Sequence, residues 1–208
     1  MWMIYSLYDS LLNILFPKSC FLCKKHNSTL CEKCIQTFTK TVDTPATYIH
    51  SIYSFRDIRI KKIIHAIKYF YRKDLIEPLT RKTAEELLSI ENNRNYILVP
   101  IPMPPLRKYT RGYNQAELIA HNIAKKTLHS VNTSLLYRSR TPKRQVTTKT
   151  KTERLKNQHN TFFTEKDLSG LHIALIDDVT TTGSTIFEAR KTLLQHGASS
   201  VIAFTIAH

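Results

Sequence analysis

Glycine is scarce in this chain: four residues in 208, where an average protein carries about 7%. Gly112, Gly170, Gly183 and Gly197 therefore mark places where a side chain would be costly. Acidic residues are few as well, 16 Asp+Glu against 31 Lys+Arg, for a formal net charge of +15. That imbalance argues against polycationic partners and for anionic ones: nucleic acid, phosphorylated small molecules or anionic lipid heads. No run reaches 18 apolar residues, which excludes a spanning helix on hydropathy grounds. The first 16 residues, "MWMIYSLYDSLLNILF", lack the cationic start and small-residue cleavage site of a signal peptide. Ser6, Asp9, Ser10 and Asn13 form one narrow polar stripe at helical spacing, so a helix packing on the body or on a partner is expected. A helix lying on a membrane is the alternative, but the stretch has no Lys or Arg to meet anionic lipid.

Cysteine is absent except in "CFLCKKHNSTLCEKC". Cys20 and Cys23 make one C-x2-C pair, Cys31 and Cys34 a second. Two such knuckles supply the four soft ligands of a tetrahedral structural zinc and leave no open position for catalysis. Thiolates held by zinc stabilise a unit too small for a core of its own. Disulfides are the alternative; in a reducing, cytoplasmic compartment they are disfavoured. His26 in the spacer reads as a solvated loop residue.

What remains is an alternation of strands and helices. "YIHSIYSF" alternates like a strand. "RDIRIKKIIHAIKYFYRKDLIEPLTRKTAEELLSI" is helical, with Ile60, Ile63, Ile64 and Ile67 on one face and Pro78 near the first turn of a second helix. "YILVPIP" is a strand ending in prolines, and "MPPLRKYTRGYNQ" reads as a loop before the helix "AELIAHNIAKKTL". "SLLYRSR" is a short strand, and "TPKRQVTTKTKTERLKNQH" a basic mobile loop. "LHIALIDD", "STIFEARKTLLQHG" and "SSVIAFTIAH" give strand, helix and strand, with Gly197 capping the helix. The pattern predicts an α/β domain with a mostly parallel sheet, residues 43–208, behind an N-terminal helix and zinc-binding unit, residues 1–42.

The chemistry concentrates in "LIDDVTTTGST", residues 175–185. In open α/β sheets, ligands bind beyond the carboxyl ends of strands, and a helix start offers free amides to an anion. Gly183 lets the main chain close around a phosphate; Thr181, Thr182, Ser184 and Thr185 add hydroxyls. Asp177 and Asp178 would repel that phosphate but suit hydroxyls one step away. A ribose 5-phosphate satisfies both demands. Helix capping alone explains Ser184 or Thr185 but not the convergence at one strand end.

An apolar strand, two acids and a Thr-Thr-Gly-x-Thr loop, here Ile176-Asp177-Asp178-Val179-Thr180-Thr181-Thr182-Gly183-Ser184-Thr185, resembles the phosphoribosyl-pyrophosphate (PRPP) signature of type I phosphoribosyltransferases. With the four-cysteine knuckle, "IKY" at 67–69, "VPIP" at 99–102 and "RGYNQAELIA" from Arg111, the chain resembles the ComF family of competence proteins. The resemblance implies a sheet of the phosphoribosyltransferase kind. It also implies a cytoplasmic role in natural transformation, where incoming single-stranded DNA is received. Residues 177–185 would then bind PRPP, the acids on the ribose and Thr181 to Thr185 on the 5-phosphate. Magnesium would accompany the pyrophosphate, keeping several waters, with Arg107, Lys108 and Arg111 as its cationic partners. The basic loop would serve as a lid.

The residues leave three functions open: a PRPP-binding protein that handles single-stranded DNA, a working phosphoribosyltransferase with an unidentified acceptor, or a zinc-ribbon adaptor that docks a partner such as a helicase through the knuckle and the apolar N-terminal helix. A helicase or other transformation protein, at the inner face of the membrane, is the expected partner. Candidate DNA contacts are Lys68, Arg72, Lys73, Arg138, Arg140, Lys143, Arg144, Lys149 and Lys151, interleaved with stackable rings. Tyr69, Phe70 and Tyr71 read equally as packing residues, since consecutive rings on a helix cannot share a face. His65 and His172 are the candidate general bases, each with a structural role as the alternative.

Overall fold

The computed structural model describes residues 18–90, 94–139 and 161–208. The expected N-terminal helix lies outside the described residues, as does most of the basic segment.

Four parallel strands form the sheet: β1 (Ile49–Tyr53), β2 (Tyr96–Pro100), β5 (His172–Val179) and β6 (Ser200–Ala207), in the order β1-β6-β5-β2. β5 is central, with Ile176 opposite both Phe204 of β6 and Pro100 of β2. Its near-continuous apolar run fits a strand covered on both faces. Alternation sends Ala174 and Ile176 into one core cluster and Ile173 and Leu175 into another. The first cluster lies under α2 (Ile58–Tyr69), α3 (Ile76–Ile90) and α5 (Gln115–Thr127); the second lies under α6 (Ser184–Gln195). These elements give the expected α/β domain with a parallel sheet.

One expectation is corrected and another narrowed. Residues 103–115, read as loop, contain a short helix, α4 (Pro105–Arg111). None of its residues is buried, so it carries no apolar period; proline at its start and Gly112, left-handed at φ 77, bracket it instead. "SLLYRSR" yields only a two-residue strand, β3 (Tyr137–Arg138). It pairs antiparallel with β4 (Phe162–Phe163) in a separate ribbon. Gly197 caps α6 as expected. The amide of Ala198 donates to the Leu193 carbonyl and that of Gly197 to Leu194, a Schellman arrangement.

The cysteine-bearing segment, with its short helix α1 (Glu32–Gln36), shares the body's core. Leu30, Cys31, Ile35 and Phe38 join the cluster that contains Tyr53 and Ile60. Phe38 meets Tyr53 edge-on, 5.4 Å between centroids. Asp57 fastens the joint. It caps α2 by accepting from the Arg59 amide at 2.9 Å, and it also accepts from the Thr39 amide at 3.0 Å. The Arg59 guanidinium grips the same carboxylate and reaches the Thr37 carbonyl at 2.6 Å. The Arg59 hydrogen bonds hold the Asp57 carboxyl well below the usual carboxylate range against the opposing effect of burial.

This contribution has a definite pH signature. A carboxyl depressed on folding stabilises the protein above its unfolded value of about 3.9, and that stability is lost as pH falls toward the folded value. Asp57→Ala should cost about 2 kcal/mol at pH 7. In thermal melts from pH 7 to 2.5 the gap between the two proteins should hold down to about pH 4 and narrow below it, without closing by pH 2.5, which is still above the folded value; parallel curves would contradict the role.

Candidate functional site

Gly183 shapes the loop after β5. At φ 76 it sits in the left-handed region as the cap of α6, and a Cβ there would lie 3.0 Å from the Pro45 Cβ and 3.3 Å from the Ile49 Cδ1. Glycine alone fits both the conformation and the space. Gly183 brings no side-chain acceptor to the first turn of α6; the Ser184 amide donates instead to Thr182 Oγ1 at 3.4 Å, a contact that an anion at the helix start could replace. Thr181, Thr182, Ser184 and Thr185 are exposed around them, with the Thr182 hydroxyl donating to Ser184 Oγ at 3.1 Å. The loop's entry is anchored by β6: the Thr180 amide donates to the Ala207 carbonyl at 3.1 Å, and His208 Nδ1 lies 3.2 Å from the Thr180 carbonyl.

The two acids do not stand side by side. Alternation along β5 puts Asp177 on the face that carries α6 and Asp178 on the face that carries α2. Lys68 Nζ of α2 lies 2.6 Å from Asp178 Oδ2, and Asp178 Oδ1 accepts from the Val179 amide at 2.9 Å. Ile64, Ile67, Ile119 and Ile206 close around this carboxylate. Lys68, expected on the DNA-facing surface, thus has its charge matched at the strand end. Asp177 is pushed up to about 8, first by burial and then by the charge of Asp178; the Asp178 amide and Lys68 oppose this. The half-buried Asp177 carboxyl is thus held toward its neutral form, which can donate to as well as accept from a hydroxyl.

Arg138, read from sequence as a DNA contact, reaches the Asp177 side of this edge. Its guanidinium approaches the Pro102 carbonyl at 3.4 Å and lies over Phe162 at 5.2 Å. Burial lowers its pKa, repulsion from Arg107 adds to that, and Asp177 counteracts both. Arg107 and Arg138 are therefore neighbours in charge, a pairing that an anion would relieve. The signal was hidden because Arg138 is fixed by a two-residue strand whose partner lies beyond the basic segment.

The other candidates are more committed. Lys108 pairs with Glu117 at 3.1 Å, and Arg111 covers the Tyr69 ring at 5.3 Å. Arg72 grips Asp74 and covers Phe21; Lys73 sits 4.5 Å over Tyr113. Arg140, Lys143, Arg144, Lys149 and Lys151 lie outside the described residues. His65 packs on Tyr69 and Phe70. His172 bonds Ser200 Oγ at 2.7 Å from the first residue of β5, the opposite end from the acids; this placement does not suit a general base. "RGYNQ" proves to be a joint: the Tyr113 hydroxyl donates to the Ile67 carbonyl, and Asn114 donates to Ile101 at 3.0 Å while capping α5.

The four thiols of Cys20, Cys23, Cys31 and Cys34 lie within 4.8 Å of one another, with Cys20···Cys34 at 3.9 Å and Cys23···Cys31 at 3.6 Å. Tetrahedral metal–sulfur bonds of about 2.3 Å set such edges at about 3.8 Å, whereas a disulfide needs about 2.05 Å. The Cys31 amide donates to Cys20 Sγ at 3.4 Å, support of the kind a metal-bound thiolate uses. The cluster can hold a metal such as zinc, and its donor set fits.

The Gly183 loop, Asp177 and the Arg138 guanidinium stand at the carboxyl edge of a parallel sheet, the place where ligands bind in open α/β sheets. Comparison with known proteins narrows the relationship. The chain is 29% identical over 157 residues to competence protein ComFC of Bacillus subtilis, covering 75% of this chain and 62% of that protein. It is 27% identical over 186 residues to DNA utilization protein YhgH of Salmonella typhimurium, covering 88% and 79%, and 29% identical over 122 residues to competence protein F of Haemophilus influenzae, covering 53% and 49%. The chain is a homologue of the ComFC/ComF and YhgH proteins. It spans less than two thirds of the length of the Bacillus protein. No protein-family profile matches. Among solved structures, a hypoxanthine phosphoribosyl transferase of Trypanosoma cruzi aligns at TM-score 0.38 and 10% identity, over 64% of this chain and 70% of that one.

Gly183→Ala should lower stability by about 2 kcal/mol or more, since it adds backbone strain to a close contact; an unchanged melting temperature would contradict the geometry. The purified protein should carry one equivalent of metal held by the cysteines. Chelation should then lower its melting temperature while reductant does not; the reverse pattern would indicate disulfides.

Proposed function

We propose that this protein binds PRPP with magnesium at the β5–α6 loop, holds zinc in its cysteine knuckle, and handles incoming single-stranded DNA in the cytoplasm during natural transformation. The observation that carries the PRPP reading is the Gly183 cup facing the same edge as Asp177 and Arg138. The 5-phosphate takes the amides and hydroxyls of residues 181–185. Asp177 meets the ribose hydroxyls. Arg138 and Arg107, with Arg111 further along α4, are the cations for the pyrophosphate end. Magnesium, when bound, would spread the charge of the pyrophosphate oxygens. Asp178 acts from the opposite face, where its pairing with Lys68 couples the site to α2. The names of the relatives, competence and DNA utilization, support the transformation role, and the net charge of +15 supports a polyanionic partner.

A second reading, transfer of ribose 5-phosphate to an acceptor, draws on Asp177. A carboxyl pushed up to about 8 is poised for proton transfer near neutral pH.

PRPP with magnesium at a hundredfold excess over Kd should stabilise the protein by about 2.7 kcal/mol, about 5–10 °C for a domain of this size. Asp177→Asn with Asp178→Asn should fold and lose that gain; a gain that persists would overturn the assignment. In parallel, fluorescence anisotropy should show single-stranded oligonucleotide binding that weakens steeply with salt, and its absence would end the DNA reading.

A further inference from the structure

A groove of about 600 Å³ runs along the seam between the cysteine knuckle and α2. Its volume is that of a small-ligand pocket, and it is separate from the Gly183 loop. Phe21, from the first C-x2-C knuckle, and Phe70, at the end of α2, supply its apolar surface; Lys61, Lys62, His65 and Arg72 supply the polar one. Phe70 is 66% exposed and the adjoining Tyr69 is 59% exposed. Large rings left this open on a helix with a well-buried opposite face are available to a flat partner.

The groove's electrostatics favour an anion. Lys61 and Lys62 project from the exposed stripe of α2, and among the described residues no acidic partner is recorded for either. Lys61 Nζ lies 5.7 Å from the Phe55 ring. Arg72 holds its guanidinium 5.3 Å over the Phe21 ring while forked on Asp74, so that ring is already aligned by its cation. His65 tilts against Tyr69 and Phe70, with centroids 4.7 and 5.5 Å away. These tilted rings lead from the groove along α2 to Tyr69, which lies beneath Arg111.

We infer that this seam seats a single strand of nucleic acid, with a base stacked on Phe70 and its flanking phosphates on Lys61 and Lys62. Exposed rings bordered by lysines match the two faces of a nucleotide, one flat and apolar, the other anionic. An apolar segment of the chain itself would use the rings and leave the lysines unmatched. The inference rests on the DNA-handling reading and adds to it a location and a mode of contact. Phe21 follows Cys20 directly in sequence, so the metal-bound knuckle positions one wall of the seat.

The test compares an oligothymidylate with an abasic oligonucleotide of equal length and charge, by anisotropy at fixed salt. The wild-type protein should bind the thymidylate about tenfold more tightly. Phe70→Ala, at an exposed position with an unchanged melting temperature, should bind both equally, at the wild-type abasic affinity. Lys61→Glu with Lys62→Glu should weaken both. If the wild type prefers bases and Phe70→Ala keeps that preference, the seat is wrong although DNA handling stands. If the wild type binds neither oligonucleotide, both fall. In a Phe70→Trp variant, the added emission should be quenched by the thymidylate. Emission already blue-shifted and indifferent to it would show the groove filled by the chain itself, which also overturns the inference.

Discussion

A β-strand turns successive side chains to opposite faces, and at the end of β5 that constraint falls on two adjacent acids. Asp178 faces α2 and is matched there by Lys68 at 2.6 Å; Asp177 faces the side of α6, has no ion pair among the described residues, and is pushed up by burial and by the charge of Asp178. One carboxylate therefore fixes the state of the other through a single peptide unit. A cation or ligand hydroxyl that engages Asp177 changes the field at Asp178, and a shift of α2 that moves Lys68 changes the field at Asp177. The loop and the helix are linked electrostatically before any ligand arrives.

The same helix carries the rest of the organisation. Its start is capped by Asp57 and clamped to the knuckle through Arg59 and Thr37. Its end is held by Tyr113, while Tyr69 lies under Arg111 of α4. Knuckle, α4 and strand end thus meet on one rigid element. The basic excess divides along the same lines. Lys68, Arg81, Lys108 and Lys126 form ion pairs that join separate elements, and Arg59 and Arg72 form local ones, whereas Arg107, Lys61 and Lys62 stand at surfaces where an anion could reach them.

What could be read from sequence followed from how local each signal is. The cysteine spacing, the apolar run of β5 and the left-handed Gly183 turn are contiguous, so their structure was legible in short stretches. The Ile60–Ile63–Ile64–Ile67 face was legible because period 3.6 reports burial. Helix α4 was not, because none of its residues is buried and no period is imposed on them. The division of labour between Asp177 and Asp178 was not legible either: it depends on partners, Lys68 and Arg138, brought there from distant segments by the sheet order. Arg138 is positioned by a ribbon of two residues per strand, too short to leave a pattern.

The account turns on a main-chain cup at Gly183 that grips a sugar-borne phosphate. Crystals grown with PRPP and magnesium test it directly. The account predicts density for the 5-phosphate within hydrogen-bond reach of the amides of residues 181–185, with the ribose hydroxyls on Asp177. An ordered, empty loop at saturating ligand, or the ligand seated elsewhere on the chain, would contradict it.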